Sequence, residues 1–221
     1  MKKLSLLIIS TLMISGCGSN ADNPQKTNTP DIISINTLTG QVTAIKSYDK
    51  SSVKSDNIIL KKLDGNKYLM VSELSIRNWN NISSLHRSEN KSVDEPVYEV
   101  SVHDIQEYCS LISTKSKFKF ELPTRNQWLL ARGNNLDLFN GNSVIKSIKS
   151  TTQEIGSFND VNGYYDLIGN IRELVEDGDA MGWSVYDNDS IIKQYSGLKT
   201  VDKSTRHPRN GVRLMMNWEA Q

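Results

Sequence analysis

Apolar and polar positions along the middle of the chain predict a pair of strands and one weaker strand. Residues 58–60 (Ile-Ile-Leu) and 68–71 (Tyr-Leu-Met-Val) flank residues 64–66 (Asp-Gly-Asn), and this arrangement predicts a β-hairpin with a tight turn. Residues 32–45 alternate Ile, Thr and Val in places. This segment is predicted to add an edge strand.

A first helix is predicted from Ser101 to Ile112. Ser101 is a good N-cap, and the apolar residues that follow recur at helical spacing on one face, as Val102, Ile105, Cys109 and Ile112. Cys109 is therefore expected to face the core, where a buried thiol acts as a small apolar side chain rather than as a reactive group.

A second helix is predicted over residues 124–133. Thr124 and Gln127 make a capping box, and Gly133 can end the helix in the left-handed conformation. Gly, Asn, Asp and Ser dominate the rest of the chain, with short apolar pieces between them. Two main helices in a loop-rich chain with short strands predict an α+β domain. Four aromatic residues are expected to pack in or against its core: Trp128, Tyr164, Tyr165 and Trp218.

The N-terminus has a different pattern. Two lysines precede an uncharged stretch at residues 4–14, which suits a signal peptide and is shorter than the roughly 20 apolar residues of a membrane-spanning helix. Residues 15–17 (Ser-Gly-Cys) follow, and the whole segment resembles the lipobox of bacterial lipoproteins. The resemblance implies that residues 1–16 are removed and that Cys17 is acylated. The alternative is an ordinary secretory signal followed by a chance cysteine.

Lipidation of Cys17 would fix the protein to a membrane. Each buried methylene contributes about 0.8 kcal/mol, and one acyl chain alone holds a protein only marginally. The two or three fatty acyl chains of a bacterial lipoprotein, such as palmitate, would hold it firmly. Gly18 stands where an Asp tends to retain lipoproteins at the inner membrane. The resemblance therefore favours the outer membrane over the inner one.

The rest of the chain is predicted to be a tether followed by one domain. Residues 17–56 carry the lipidated cysteine and are rich in Ser, Asn, Thr, Lys and Asp, a composition typical of a flexible segment. Residues 57–221 are long enough for a single domain. Lipidation would use one of the two cysteines, so this domain is expected to fold without a disulfide.

The charge balance excludes one class of partner. The chain has 26 basic and 25 acidic residues, and removal of the signal peptide takes two of the lysines. The mature protein is therefore close to neutral, and no dense basic run is present. This composition argues against nucleic acid as a partner.

Several segments in the expected order resemble the formylglycine-generating enzyme, or sulfatase-modifying factor, family. The family motifs "F-x-M-x-K/x-E-V-T", "P-V-x-x-V-S-W-x-D-A-x-x-Y-C", "L-P-T-E-A-E-W-E-x-A-A-R-G", "V-G-S-x-x-x-N-x-x-G-L-Y-D-M-x-G-N" and "x-G-F-R-L" are similar to residues 68–75, 96–109, 122–133, 155–170 and 210–214. The resemblance implies a variant of the C-type lectin fold.

The departures from the family pattern concern its chemistry. The oxidase activity of the family uses two cysteines near the C-terminus that bind copper, a role suited to soft thiolates, and this chain has no cysteine after Cys109. Related iron enzymes use a His-x-x-x-His-x-Glu cluster. His86, His103 and His207 are too far apart in sequence to form it. The formylglycine-generating mechanism is therefore excluded, and no catalytic residue is assigned.

Two candidate sites remain. In catalytic relatives the Gly-Asn-x-x-Glu segment supplies oxygen ligands to a structural calcium ion, so the resemblance implies Asn170 and Glu173 as calcium ligands. The alternative is that Asn170 closes a turn and that Glu173 is solvated or pairs with Arg172. Trp183 and Tyr186, in a loop rich in Gly, Asp and Asn, are candidates for lining a surface binding groove, or else they cap the core.

The sequence thus favours a lipid-anchored, non-catalytic domain of the cell envelope. Such a domain would bind an envelope protein or a surface ligand. The alternative is a periplasmic enzyme of the same superfamily that acts on an unknown substrate. An enzyme should have a polar pocket with converging titratable groups, whereas a binding domain should have an exposed apolar or aromatic patch.

Overall fold

Ten strands and four helices make up the part of the chain that the computed structural model describes, which is residues 29–85, 91–133, 151–157, 161–185, 187 and 198–218. The helices are α1 (Lys50–Val53), α2 (Ile76–Asn80), α3 (Val102–Ser116) and α4 (Arg125–Arg132). The strands are β1 (Ile32–Asn36), β2 (Val42–Ile45), β3 (Asn57–Asp64), β4 (Lys67–Met70), β5 (Lys119–Glu121), β6 (Arg172–Leu174), β7 (Asp179–Met181), β8 (Leu198–Thr200), β9 (Asn210–Gly211) and β10 (Met215–Asn217). The predicted signal peptide, Cys17 and Tyr186 lie outside the described residues.

The strands form two sheets. The larger has six antiparallel strands in the order β2-β1-β3-β4-β10-β5, and the smaller has four in the order β8-β7-β6-β9. In the smaller sheet β6 and β9 run parallel, and the other neighbours are antiparallel. The mixture of helices and largely antiparallel strands confirms the α+β prediction.

The predicted hairpin is confirmed as β3 and β4. Gly65 and Asn66 form its turn, and the register shifts between Lys62 and Asp64. Residues 58–60 of β3 are buried on both faces because one core cluster covers Ile58 and Leu60 and another covers Ile59 on the opposite side. A continuous apolar run is typical of such an interior strand.

The boundary predicted between tether and domain is wrong. Residues 32–45 form two strands rather than one. Of these two, β2 is the edge strand, because β1 pairs with both β2 and β3. Ile33 and Ile35 of β1 are fully buried. The folded domain therefore extends well before residue 57, since two buried isoleucines outweigh the polar composition around them.

Both predicted helices are present with the predicted N-caps. Ser101 and Asp104 form a capping box before α3, and Thr124 and Gln127 form one before α4. Helix α3 continues past the predicted end at Ile112 to Ser116, and serine and threonine hydroxyls in its last turns bond to carbonyls four residues earlier. Helix α4 ends at Gly133 with a positive φ of 67°, but its ψ of −170° is extended rather than left-handed helical.

The six-stranded sheet is covered on both faces. One face packs against α3 through a cluster that includes Ile33, Leu60, Tyr68, Ile105 and Cys109. The other face contributes to a second cluster around Trp128 of α4 and to a third, smaller one around Ile59. The predicted packing roles of Trp128, Tyr164, Tyr165 and Trp218 are confirmed. None of the helices in the described ranges has the length and apolar character needed to span a bilayer.

Replacing Cys109 with alanine should lower the free energy of unfolding by about 1–3 kcal/mol, because the thiol is buried against the sheet. Urea denaturation at equilibrium measures the change. Ser110→Ala, at the exposed neighbouring position, is the control and should stay within about 0.5 kcal/mol of the wild type. Equal midpoints for the wild type and Cys109→Ala would show that this face of α3 does not form the core.

Candidate functional site

Polar side chains from the motif segments meet in the interior of the domain. We call Glu73, Asp166, Asn170, Glu173 and Arg213 the buried carboxylate cluster. Each of the five is at most 1% exposed. Glu73 follows β4, Asp166 and Asn170 precede β6, Glu173 lies in β6, and Arg213 follows β9. Burying polar groups is costly unless they are hydrogen-bonded, so the arrangement depends on the partners that the cluster supplies.

Arg213 and Glu173 form the centre of the cluster. The Nε of Arg213 donates to both Glu173 oxygens at 3.0 and 2.9 Å, and its Nη2 donates to Oε1 at 2.7 Å. The indole N–H of Trp128 donates to Oε2 at 2.6 Å. The guanidinium also donates to the carbonyl oxygens of Met70 and Tyr165. This one ion pair therefore connects α4, β4, β6 and the loop before β6.

Gly211 allows Arg213 to reach this position. Strand β9 runs so close to the segment at Val97 that a Cβ on Gly211 would lie 2.5 Å from the carbonyl oxygen of Val97. Only glycine lets the two backbones approach this closely. The glycine of the closing motif thus has a packing reason, and the arginine two residues later depends on it.

Asn170 fastens the loop before β6. Its side-chain oxygen accepts from the N–H of Gln153 at 2.9 Å, and its Nδ2 donates at 3.1 Å to the Gln153 carbonyl and at 3.1 Å to Glu73. Its own φ is +54°, a left-handed conformation that asparagine tolerates better than most residues. The amide therefore holds the segment before β6 to Gln153 and to Glu73, which are long-range contacts and not the local turn of the predicted alternative.

Glu73 lies beside two other carboxyl groups in the interior. Burial raises the pKa of Glu73 well above its usual value of 4.5, and the negative charges of Asp166 and Glu173 raise it further. Glu73 and Asp166 share a hydrogen bond. A raised pKa favours the protonated form of Glu73, and in that form Glu73 can act as the donor to Asp166. Asp166 also accepts from the backbone N–H of Gly156.

The calcium hypothesis finds no support in this arrangement. Each oxygen of Glu173 already accepts two hydrogen bonds, from Arg213 and Trp128, so a cation there would have to displace a guanidinium that carries the same sign of charge. Among the residues that the structure describes, no three His, Cys, Asp or Glu side chains are grouped so that they could hold a metal ion. Asn170 and Glu173 lie in the same buried cluster, and each is a partner of other groups.

A second buried ion group lies on the other face of β6. Arg172 binds the carboxylate of Asp187 through Nε, at 3.0 Å, and through Nη2. Arg209 approaches the same carboxylate at 3.4 Å, and the N–H of Ser184 donates to it. Successive strand residues point to opposite faces, so Arg172 and Glu173 serve different ion pairs. The predicted alternative that Glu173 pairs with Arg172 is therefore wrong.

The interpretation of Trp183 as a binding residue is corrected. Its side chain is 3% exposed and packs in the cluster around Trp128, so it does not line a surface groove. Neighbouring Gly182 has a positive φ and leaves room for the Trp128 ring, which brings the two indoles into one core. Trp183 thus caps the core, as the alternative prediction had it.

Sequence reasoning missed most members of the two buried ion groups. Glu73 and Arg213 stand inside segments 68–75 and 210–214, so charged residues at fixed places in otherwise apolar motifs were a usable signal. Nothing in the sequence distinguishes Asp187 from the other acidic residues of its loop. Its role depends on the fold that brings it to Arg172.

The chain belongs to the family of proteins with a sulfatase-modifying factor enzyme 1-like domain, whose family model matches residues 39–213. A search of curated protein sequences finds no match.

Solved structures with low sequence identity share the fold. Variable protein 1 of Treponema denticola has a TM-score of 0.60 at 15% identity, with 78% of this chain and 98% of that chain covered. CarF has a TM-score of 0.54 at 16% identity, with coverage of 69% and 87%. PvdO from Pseudomonas aeruginosa has a TM-score of 0.50 at 14% identity, with coverage of 71% and 70%. The fold is that of the formylglycine-generating enzyme type, a variant of the C-type lectin fold.

Replacing each of the two buried glutamates with glutamine should change stability by very different amounts. Glu173→Gln should lower the free energy of unfolding by about 3–5 kcal/mol, because it leaves the buried guanidinium of Arg213 without its counter-charge. Glu73→Gln should be tolerated at pH 7, because an amide replaces a protonated carboxyl group and can still donate to Asp166. Urea denaturation of both variants measures the difference, and equal losses would contradict the assignment of the proton to Glu73.

The pH dependence provides a second readout of Glu73. Because its pKa is raised in the folded state, its stabilising contribution is complete below about pH 4.5 and is lost as the pH rises through the folded-state value. The wild type should therefore lose stability on the alkaline side of pH 4.5, and Glu73→Gln should reduce that loss. A wild type and variant with parallel stability curves above pH 5 would show that Glu73 is ionised in the folded state.

Calcium should leave the melting temperature unchanged. An ion bound only to the folded state at a hundredfold excess over its dissociation constant would add about 2.7 kcal/mol of stability. For a domain of this size each kcal/mol shifts the midpoint by roughly 2–4 °C. We expect the same melting curve in EGTA and in millimolar calcium. A rise of several degrees in calcium would restore Asn170 and Glu173 as candidate ligands.

Proposed function

We propose that this protein is a bacterial lipoprotein whose sulfatase-modifying-factor-like domain does no chemistry and binds an envelope protein or a surface ligand. The lipid on Cys17 would hold the domain at a membrane, the outer membrane in preference to the inner one. The chain from Gly18 to the first strand at Ile32 would separate the domain from the bilayer. Its short length would keep the domain close to the membrane surface.

The single observation that carries the non-catalytic assignment is that both carboxylate oxygens of Glu173 are buried and accept hydrogen bonds from protein groups. Catalytic acids and bases need a group that can reach a substrate. Glu173 is 1% exposed, and both of its oxygens are occupied by Arg213 and Trp128. The buried polar residues of the motifs thus have a structural role, because their hydrogen bonds and ion pairs hold the loops in place.

The cysteine chemistry of the family supports the same conclusion. The copper-dependent oxidase mechanism implied by the resemblance needs two cysteines near the C-terminus, and the last cysteine here is Cys109. Burial raises the pKa of the Cys109 thiol to about 12, which keeps it protonated. A protonated, buried thiol is neither a nucleophile nor a copper ligand.

A binding role is consistent with the construction of the domain. Loops on a rigid base are the usual position of recognition surfaces, although a shared fold alone does not establish function. Here the rigid base is the pair of sheets, and the two buried ion groups hold the connecting loops to it. The rival proposal, a periplasmic enzyme acting on an unknown substrate, requires converging titratable groups in an open pocket.

Cys17→Ala should abolish lipidation and release the protein from the membrane fraction. Cells fed a fatty-acid probe should label the wild type and the Cys109→Ala control but not Cys17→Ala, because only Cys17 follows the small residues of the lipobox-like segment. Equal labelling of wild type and Cys17→Ala would contradict the anchor.

The binding role is tested separately by crosslinking on intact envelopes. The wild-type full-length protein, recovered after crosslinking, should bring down a specific protein or surface polymer that a Cys17→Ala protein at equal abundance captures less well. Capture of nothing above an untagged control, together with turnover of a candidate substrate by the purified protein, would favour the enzyme.

A further inference from the structure

A cleft of about 400 Å³ opens between helix α3 and strand β5. Its floor is apolar and consists of Cys109, Phe120 and Leu122, each at most 6% exposed. Its walls are polar and include Ser110 of α3 and Glu176 of the turn after β6. The volume lies within the range of pockets that bind small molecules or a few side chains of a peptide. It belongs to neither of the buried ion groups.

Strand β5 presents an open edge to this cleft. Among the strands that the structure describes, it is the last of the six-stranded sheet and pairs with β10 alone. The N–H of Phe120 points away from β10, because it donates to the hydroxyl of Ser113 on α3 at 2.8 Å. In an antiparallel pair the N–H and C=O of one residue point to the same side of the strand, so the C=O of Phe120 also faces away from β10. An extended segment laid in the cleft would meet these groups as a neighbouring strand does.

The turn that carries Glu176 marks one end of the edge. The N–H of Glu176 donates to the carbonyl oxygen of Pro123 at 3.0 Å, and this bond holds the turn beside the end of β5. The edge is therefore open between the Ser113 contact and the Glu176 turn. This opening has room for a short extended segment rather than for a long strand.

The charges of the walls indicate the chemistry of the occupant. Two glutamates, Glu121 and Glu176, and one lysine, Lys119, line the cleft. Glu121 is already bound by Lys119 at 3.0 Å and by the amide of Asn217 at 2.9 Å. Glu176 is exposed and supplies the net negative charge. A basic side chain suits this site, because its aliphatic stem can lie on the apolar floor while its charged head reaches Glu176.

We propose that this cleft binds an extended, arginine- or lysine-bearing segment of a partner protein as an added strand on β5. Main-chain hydrogen bonds to the strand edge would supply affinity, and the floor and Glu176 would select alternate side chains. The proposal rests on the protein-binding function proposed above and specifies where and what kind of segment is bound.

The test uses the full-length lipidated protein in a neutral detergent and a fluorescent seven-residue peptide that alternates valine and arginine. Two peptides serve as controls: one with glutamate in place of arginine, and one with N-methyl groups on alternate residues, which cannot add as a strand. Fluorescence anisotropy should detect binding of the valine–arginine peptide at millimolar or lower concentration. It should detect at least about tenfold weaker binding of both controls, the effect of losing a charge pair or the main-chain bonds.

Matched variants place the binding at the cleft. Glu176→Lys and Ser110→Tyr, the first reversing the wall charge and the second filling the space, should each weaken binding about tenfold or more. Glu107→Lys changes the net charge by the same amount as Glu176→Lys on an exposed part of α3 that does not line the cleft, and it should leave binding unchanged. Melting curves confirm that the variants are folded.

The outcomes separate this proposal from the proposed function. Three results would each overturn the cleft proposal. The valine–arginine peptide does not bind, the N-methylated peptide binds equally well, or Glu107→Lys and Glu176→Lys have equal effects on binding. A dimer of the chain that Glu176→Lys dissociates would assign the edge to a second copy and would also overturn it. If the wild type does not bind the peptide but the envelope crosslink persists in Glu176→Lys, the proposed binding function stands and the cleft proposal is wrong.

Discussion

Arg213 is fully buried and uses its guanidinium to hold Glu173 on one side and the carbonyls of Met70 and Tyr165 on the other. Three parts of the chain that are distant in sequence, at residues 70, 165–173 and 213, meet at this group. A buried ion pair contributes little net stability compared with an apolar replacement, but the loss of one partner is costly. Its consequence here is specificity: the loops around β6 can pack in only one way that satisfies both charges.

The neighbouring groups extend this constraint over the loop-rich half of the domain. Asn170 fixes the backbone at Gln153 and donates to Glu73, which in turn is linked to Asp166. On the opposite face of β6, Arg172 and Asp187 hold the loop that follows β7. Short strands and irregular loops cannot define a structure through periodic hydrogen bonds alone. Buried hydrogen-bonded ion pairs between these segments supply additional, non-periodic constraints.

A domain held together in this way has few interior groups left for chemistry. The glutamate that the family motif places at position 173 is occupied by protein partners, and the thiol of Cys109 lies in the core. The open features are on the outside instead, at the edge of β5 beside α3. This separation between a buried polar interior and a sheet edge at the surface supports the binding role that we propose.

The sequence alone determined the elements that have local causes. The α3 and α4 N-caps, the β3–β4 hairpin and the core positions of Cys109 and Trp128 follow from capping residues, a turn sequence and apolar spacing, which act over a few residues. The ordered family motifs also predicted the fold. Their departures from the family pattern, above all the lack of a cysteine after Cys109, predicted that the oxidase mechanism does not operate here.

Only the tertiary structure decided the partners. Glu173 could have been solvated, bound to Arg172 or bound to calcium, and all three were compatible with its neighbours in sequence. It pairs with Arg213, which lies forty positions further along the chain. Likewise, β1 is an interior strand because β2 pairs on its outer side, although the composition of residues 17–56 predicted a tether. Pairing between distant segments depends on the free energy of the whole packed domain. The residue pattern within one segment therefore does not identify its partner.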